Sequence, residues 1–279
     1  MNTPSTDLHP SPRIQLLNTA GSDALEPSPT APEAAPQIAI ELCEVSKVFR
    51  VVRREASLKS AALKAMLGRL PQRELFTALE GVSFSIPRGQ TVGVIGRNGS
   101  GKSTLLSLLA RIYKPTSGTL SVEGRVATLL ELGAGFHPEF TGEENVVLNG
   151  VILGLTREQM EEKLPQIVKW AELEDHRHKQ VKYFSPGMEA RLGFSVAVHL
   201  DPQVLLVDEV LAVGDAPFQE KCYEKIEEFK ARGVTIFFVS HDMSAIRRVS
   251  DRILWMDKHG LRLDGAPEAV IAAYESSVA

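Results

Sequence analysis

The sequence lacks any apolar run approaching the roughly 20 residues that a membrane-spanning helix needs. Its start carries no charged-then-apolar leader pattern, so a membrane role is expected only through a partner. Cysteine is scarce: Cys43 and Cys222 lie far apart and match no metal-ligand spacing. A reduced, cytosolic setting is the simpler expectation. Positive charge is not in excess either. The 31 Lys and Arg against 35 Asp and Glu leave a net charge of −4, no global field for a nucleic-acid partner. Residues 1–36 have no Phe, Tyr or Trp, yet hold seven of the 16 prolines. Such a segment cannot bury a core and is expected to be a disordered N-terminal extension. The remainder, 37–279, is the expected folded domain. Overall the chain is 43% hydrophobic and 24% charged, ordinary for a globular α/β protein.

Order is expected from Ile38. Residues 38–45 alternate as a strand, and Val48–Val52 either continue it or pair with it. Residues 53–73 are basic, with Arg53, Arg54, Lys59, Lys64, Arg69 and Arg73 against Glu55 alone. Leu58, Ala62, Met66 and Arg69, with Leu63, Leu67 and Leu70, give a helical stripe, so a basic amphipathic helical insert is expected. Two readings stand: contact with anionic headgroups or a membrane partner, or a helix packed on its own domain. Strands are expected at 77–80, 82–86, 119–122 and 126–130, with a turn over Lys114–Gly118. Thr141-Gly142-Glu143-Glu144 and Thr156 with Gln159 are capping boxes. They open a helical subdomain of about 141–200. Strands at 203–209 and 234–239 then alternate with helices to the end, and no internal repeat appears.

One stretch organises the rest. Thr91-Val92-Gly93-Val94-Ile95 reads as a buried strand, Gly96-Arg97-Asn98-Gly99-Ser100-Gly101-Lys102-Ser103 as a glycine-rich turn, and Thr104 onward as a helix. Strand, turn and helix in this order make a phosphate-binding loop. Backbone N–H groups converge on phosphate oxygens at a helix N-terminus. Lys102 can reach the β- and γ-phosphates, and the Ser103 hydroxyl can ligate Mg²⁺. Downstream, Leu205-Leu206-Val207 runs into Asp208 and Glu209. Carboxylates at the carboxyl end of a parallel strand sit where open α/β sheets place their sites. One can orient Mg²⁺ and the other polarise a water. His241 ends the next strand and can donate to a γ-phosphate.

These motifs, with Phe184-Ser185-Pro186-Gly187-Met188 and Ala212-Val213-Gly214-Asp215, follow the order and spacing of ATP-binding subunits of ABC transporters. The resemblance covers about 38–275. Within that superfamily the chain is similar to ATPases that export bacterial surface polysaccharides: O-antigen, capsule or teichoic acid. It rests on Leu130–Phe136 in place of a Gln-bearing loop, the Gly187-Met188 ending, the basic insert, and the closing run Gly265–Tyr274. The resemblance implies an ABC nucleotide-binding domain with a RecA-like core, an antiparallel β-subdomain and an α-helical subdomain. It implies ATP and Mg²⁺, with Gly96 to Thr104 on the nucleotide, Ser103, Asp208 and Glu131 toward the metal, Glu209 as base and His241 as γ-phosphate switch. Ser185, Pro186, Gly187 and Met188 would complete the site of a second copy, and Asp215 would lie at that dimer interface. Phe49 stands where an aromatic stacks on adenine; its other reading is a core strand residue. Pro186 replaces a glycine and lacks an N–H, and Glu131 replaces Gln. The implied partners are a second copy, a polytopic permease and a lipid-linked polysaccharide, at the cytoplasmic face of the inner membrane. Some O-antigen members add a C-terminal glycan-binding β-sandwich; the chain ends soon after Tyr274, so cargo recognition is expected to rest with the permease. The alternatives are a soluble ABC-type ATPase acting on nucleic acid or the ribosome, and a subunit for another transported substrate.

Overall fold

A computed structural model describes residues 37–52, 73–130, 133, 135–208 and 214–278. The expected extension 1–36 and the helix of the basic insert at 53–72 lie outside the described residues, as do Glu131 and Glu209. Arg73, counted with the insert in the sequence, is already in a strand.

Two sheets carry the fold. The larger has the order β5-β6-β7-β3-β8-β9, built from β3 (Thr91–Ile95), β5 (Val126–Leu129), β6 (Val204–Asp208), β7 (Thr235–Val239), β8 (Arg252–Asp257) and β9 (Gly260–Gly265). Its pairs are parallel except β8 with β9. The smaller is antiparallel, β2-β1-β4, from β1 (Ile38–Val52), β2 (Arg73–Pro87) and β4 (Ser117–Val122).

The parallel strands are covered on both faces, which explains their unbroken apolar sequences. Side chains alternate between faces along a strand. Leu205, Val207, Ile236, Phe238, Ile253 and Trp255 join one core, whereas Val204, Leu206, Phe237, Val239, Leu254 and Met256 join the other. The first core packs against α2 (Gly142–Ile152), α3 (Arg157–Ala171), α4 (Pro186–Val198), α5 (Ala216–Ala231), α6 (Met243–Val249) and α7 (Pro267–Val278). The second takes in the antiparallel sheet and α1 (Lys102–Leu109).

Both capping boxes form. Thr141 accepts from Glu144 N and Thr156 from Gln159 N, with the reciprocal carboxylate and amide bonds present. Three local readings take a definite form. Residues 38–45 and 48–52 are one strand, as are 77–80 and 82–86, because β-bulges carry the pairing past the breaks in alternation. The Lys114–Gly118 turn ends early, since Ser117 pairs with Ser46 and Gly118 lies in β4. The N–H that Pro186 lacks costs α4 nothing. Pro186 is the first helical residue, where that N–H has no intrahelical partner, and Ser185 caps the helix by accepting from Met188 N.

Candidate nucleotide site

The phosphate loop leaves β3 at the centre of the parallel sheet and enters α1. Two glycines are required here by space as well as by conformation. A Cβ on Gly96 would stand 2.2 Å from the Met256 carbonyl oxygen, and one on Gly101 2.6 Å from the Ala78 carbonyl oxygen. Both have φ in the region that L side chains rarely adopt, +149° and +104°. Lys102 is buried at the loop's centre, and its ammonium donates to the carbonyls of Gly96 at 2.7 Å and Arg97 at 3.1 Å. The Ser100 hydroxyl is buried with no hydrogen-bond partner. A buried orphan hydroxyl beside a buried ammonium fits a loop that closes on an anion.

A cavity of about 240 Å³ opens on this loop. Asn98, Gly99, Gly101, Lys102, Ser103 and Thr104 form its floor. Asp208, the last residue of β6, and His241, just beyond β7, line one side. Asp242 next to His241 caps α6, accepting from Ser244 N and Ala245 N. The bond from Ser244 and those backbone donors hold the exposed carboxyl below the usual range, against a weaker loss of hydration. The cap thereby fixes the backbone that carries His241.

A second cavity, of about 440 Å³, runs between α1, β5 and the helices α2 and α4. Ser103 and Asp208 line both cavities. A hydroxyl and a carboxylate on one opening are hard oxygen donors, the set Mg²⁺ prefers. Gly133, beyond β5, sits against the first turn of α4: a Cβ there would stand 2.8 Å from Glu189 Cγ. The following loop is pinned to α2 by Asn145, which is buried and bonds His137 N and the carbonyls of His137, Phe140 and Thr141. An Asn in the first turns of a helix that also holds Asn149 carried no sequence signal of that task.

Other candidates stand apart from the phosphate loop. Ser185, Pro186, Gly187 and Met188 form the start of α4 and do not line the cavity. Asp215 caps α5 and receives Arg191 at 2.7 Å, while Arg191 also meets Glu172 at 3.1 Å and lies over the Phe218 ring. Asp215 thus ties α5 to α4 within its own chain. Phe49 is half-buried, edge-on to Tyr113 with ring centroids 5.3 Å apart, and the Lys47 ammonium lies 5.1 Å from its centroid. It does not line the phosphate cavity. Phe76, Ala78 and His259 do, and sequence reasoning passed over all three.

The comparisons with known proteins fit this geometry. The ABC transporter family model matches residues 79–212. The O-antigen export system ATP-binding protein RfbB of Klebsiella pneumoniae is 48% identical over 73% of this chain and 83% of its own length. The chain belongs to the ABC transporter family. A namesake from Myxococcus xanthus is 45% identical over 86% of this chain but only 56% of its own length. The teichoic acids export ATP-binding protein TagH of Listeria monocytogenes is 39% identical over 82% of this chain and 70% of its own. The fold of this ABC subunit is that of solved cassettes. An ATP-binding cassette in a post-hydrolysis dimer with ADP and Pi superposes with a TM-score of 0.66 at 21% identity, over 82% of this chain and 98% of that one. The family's ATP-binding cassettes are ATPases, and ATP hydrolysis is the activity of this one.

Proposed function

We propose that this ABC subunit hydrolyses ATP to drive export of a bacterial surface polysaccharide through a membrane permease. The observation that carries the reading is the meeting of Lys102, Ser103, Asp208 and His241 on one cavity, in a chain 48% identical to an O-antigen export ATP-binding protein. Lys102 exchanges its loop carbonyls for β- and γ-phosphate oxygens. The loop N–H groups and the Ser100 hydroxyl complete the cradle. Ser103 and Asp208, with Glu131, hold Mg²⁺, which when bound offsets phosphate charge. Glu209 takes the proton of the attacking water, and His241 donates to the γ-phosphate. The site is completed in a homodimer, where Ser185, Gly187 and Met188 of one copy face the nucleotide of the other and Asp215 lies near the interface. Pro186 offers no N–H there, so the backbone donors from this helix start at Gly187.

Among the described residues no helix is long and apolar enough to cross a membrane. The larger cavity is rimmed by Ile112 and Leu153, 60% and 44% exposed, and the neighbouring Ile152 is 62% exposed. Apolar groups left in water at the edge of the nucleotide opening suit docking of the permease, so that closure on ATP is felt there. The subunit would then sit on the cytoplasmic face of the inner membrane, with the lipid-linked glycan handled by the assembled complex.

The test pairs surface glycan in cells with ATP turnover by the purified complex. Glu209→Gln is expected to abolish export and slow hydrolysis by a factor on the order of 100 or more while ATP still binds. Normal glycan at the surface of cells carrying only this variant overturns the reading.

A further inference from the structure

His241 reaches the phosphate cavity from a short link between the end of β7 at Val239 and the start of α6 at Met243. The link is Ser240, His241 and Asp242. Val239 and His241 line the cavity, whereas Ser240 and Asp242 do not. The His241 side chain is exposed. An exposed imidazole on such a link owes its aim to the backbone beneath it, and a misplacement of about 1 Å can cost a reaction about 100-fold in rate.

The two neighbours of His241 each bond backbone with a side-chain oxygen. Behind it, Ser240 is buried, and its hydroxyl accepts from Asp242 N at 3.0 Å. That bond closes a small ring around His241, a local turn that serine can make with the amide two residues on. Ahead, Asp242 Oδ1 accepts from Ser244 N at 2.8 Å, from Ser244 Oγ at 2.6 Å and from Ala245 N at 3.3 Å. The helix so capped is itself anchored. Ala245, Ile246 and Val249 lie in the first core, and Arg248 meets Glu220 at 2.8 Å and Glu227 at 3.1 Å on α5. The link is thus fixed on one side to the sheet and on the other to a helix that is held in place.

We infer that Ser240 and Asp242 are positioning residues for ATP hydrolysis, holding His241 where it can donate to the γ-phosphate. Both act as hydrogen-bond acceptors for backbone, and Asp242 does not act through its charge, because its carboxylate is engaged by the first turn of α6. The inference rests on the role given to His241 above, which the experiment tests separately.

ATP affinity, turnover and melting temperature are measured on the full-length chain. Ser240→Ala and Asp242→Ala should each lower turnover about 5- to 20-fold and leave ATP affinity within about twofold. Ser240→Thr and Asp242→Asn keep an acceptor oxygen, so each should stay within about twofold of wild-type turnover. His241→Ala should lower turnover on the order of 100-fold, as the loss of a donor to developing charge does. In that background neither Ala change should lower turnover by more than about a further twofold, because both act through the missing ring. Should Asp242→Ala fail to fold, Ser240→Ala carries the same test. The proposal is overturned if the Ala variants turn over like wild type, or if they cost as much without His241 as with it. It is equally overturned if Asp242→Asn is as slow as Asp242→Ala, which would make the charge the active feature. Wild-type turnover in His241→Ala would instead sink the role of His241 itself.

Discussion

The two flanks of the phosphate cavity are made differently. On the phosphate side, the floor is one contiguous stretch, Gly96 to Thr104, while Asp208 ends the apolar run Val204–Val207 and His241 lies just beyond the apolar run Ile236–Val239. On the other flank, Phe76 comes from a bulged antiparallel ribbon and His259 from a strained hairpin turn. The first flank is set by local chain geometry, and the second by how two sheets meet. Substitutions on the phosphate side should therefore strike binding and chemistry directly, and those in the surrounding helices mainly stability.

The largest effect is expected from Lys102→Ala. It removes a charge-assisted contact to phosphate, so ATP affinity should fall by about 10- to 100-fold in a nucleotide titration. The melting temperature should change far less, because the two loop carbonyls the ammonium leaves can bond water. Next is Gly101→Ala. The added Cβ meets the Ala78 carbonyl oxygen at a φ of +104°, so folding should lose about 1–3 kcal/mol. Thermal unfolding would register this as a fall of several degrees, with nucleotide affinity lost as well. If both stay at wild-type values, the loop is not packed as described.

Ile152→Asp probes the proposed docking edge. The side chain is 62% exposed, so the isolated subunit should stay folded and bind ATP normally, while co-purification with the permease fails. Retained assembly would show that the permease docks elsewhere. Arg191→Met sharpens the comparison from the helical side. It cuts the links from α4 to Asp215 and Glu172, both more than half exposed, so about 1 kcal/mol or less is expected. Its signature is coupling: in a cycle with Asp215→Ala the two losses should not add.

The smallest effect concerns His199, at the end of α4. Burial holds its imidazole below the ordinary range, assisted by Lys225 and Lys163 and opposed by the Ser195 carbonyl and Asp201. The folded state therefore resists a proton that the unfolded chain accepts. Stability from this group is full above about pH 6.5 and declines as pH falls below it, levelling off beneath the depressed folded value. Urea midpoints at pH 7.5 and 5.5 should differ less in His199→Gln than in wild type.

Much of this was legible in the sequence where the signal was local. Thr141 with Glu144 and Thr156 with Gln159 announced their helices because a capping box is complete within four residues. Thr235–Val239 announced a strand buried on both faces because nothing polar after Thr235 interrupts it. In the ribbon β1–β2 the sequence left open whether Val48–Val52 continue the first strand or pair with it, since the bulges near Val45 and Lys47 break the alternation that marks a strand. His259 carried no sequence signal of its own. Its position becomes telling only when β9 is seen packed beside β2, a relation of distant segments that periodicity does not encode. Arg191 and Asp215 were likewise invisible as a pair, being on separate elements brought together by the core around Phe218.

The most direct test of the central claim is a crystal structure of the full-length chain with Mg²⁺ and a non-hydrolysable ATP analogue. The account predicts that Lys102 Nζ leaves the Gly96 and Arg97 carbonyls for phosphate oxygens and that Ser100 Oγ gains a partner. Asp208 and His241 should flank the terminal phosphate. An analogue bound elsewhere, or bound with Lys102 still closed on its own loop, would contradict it.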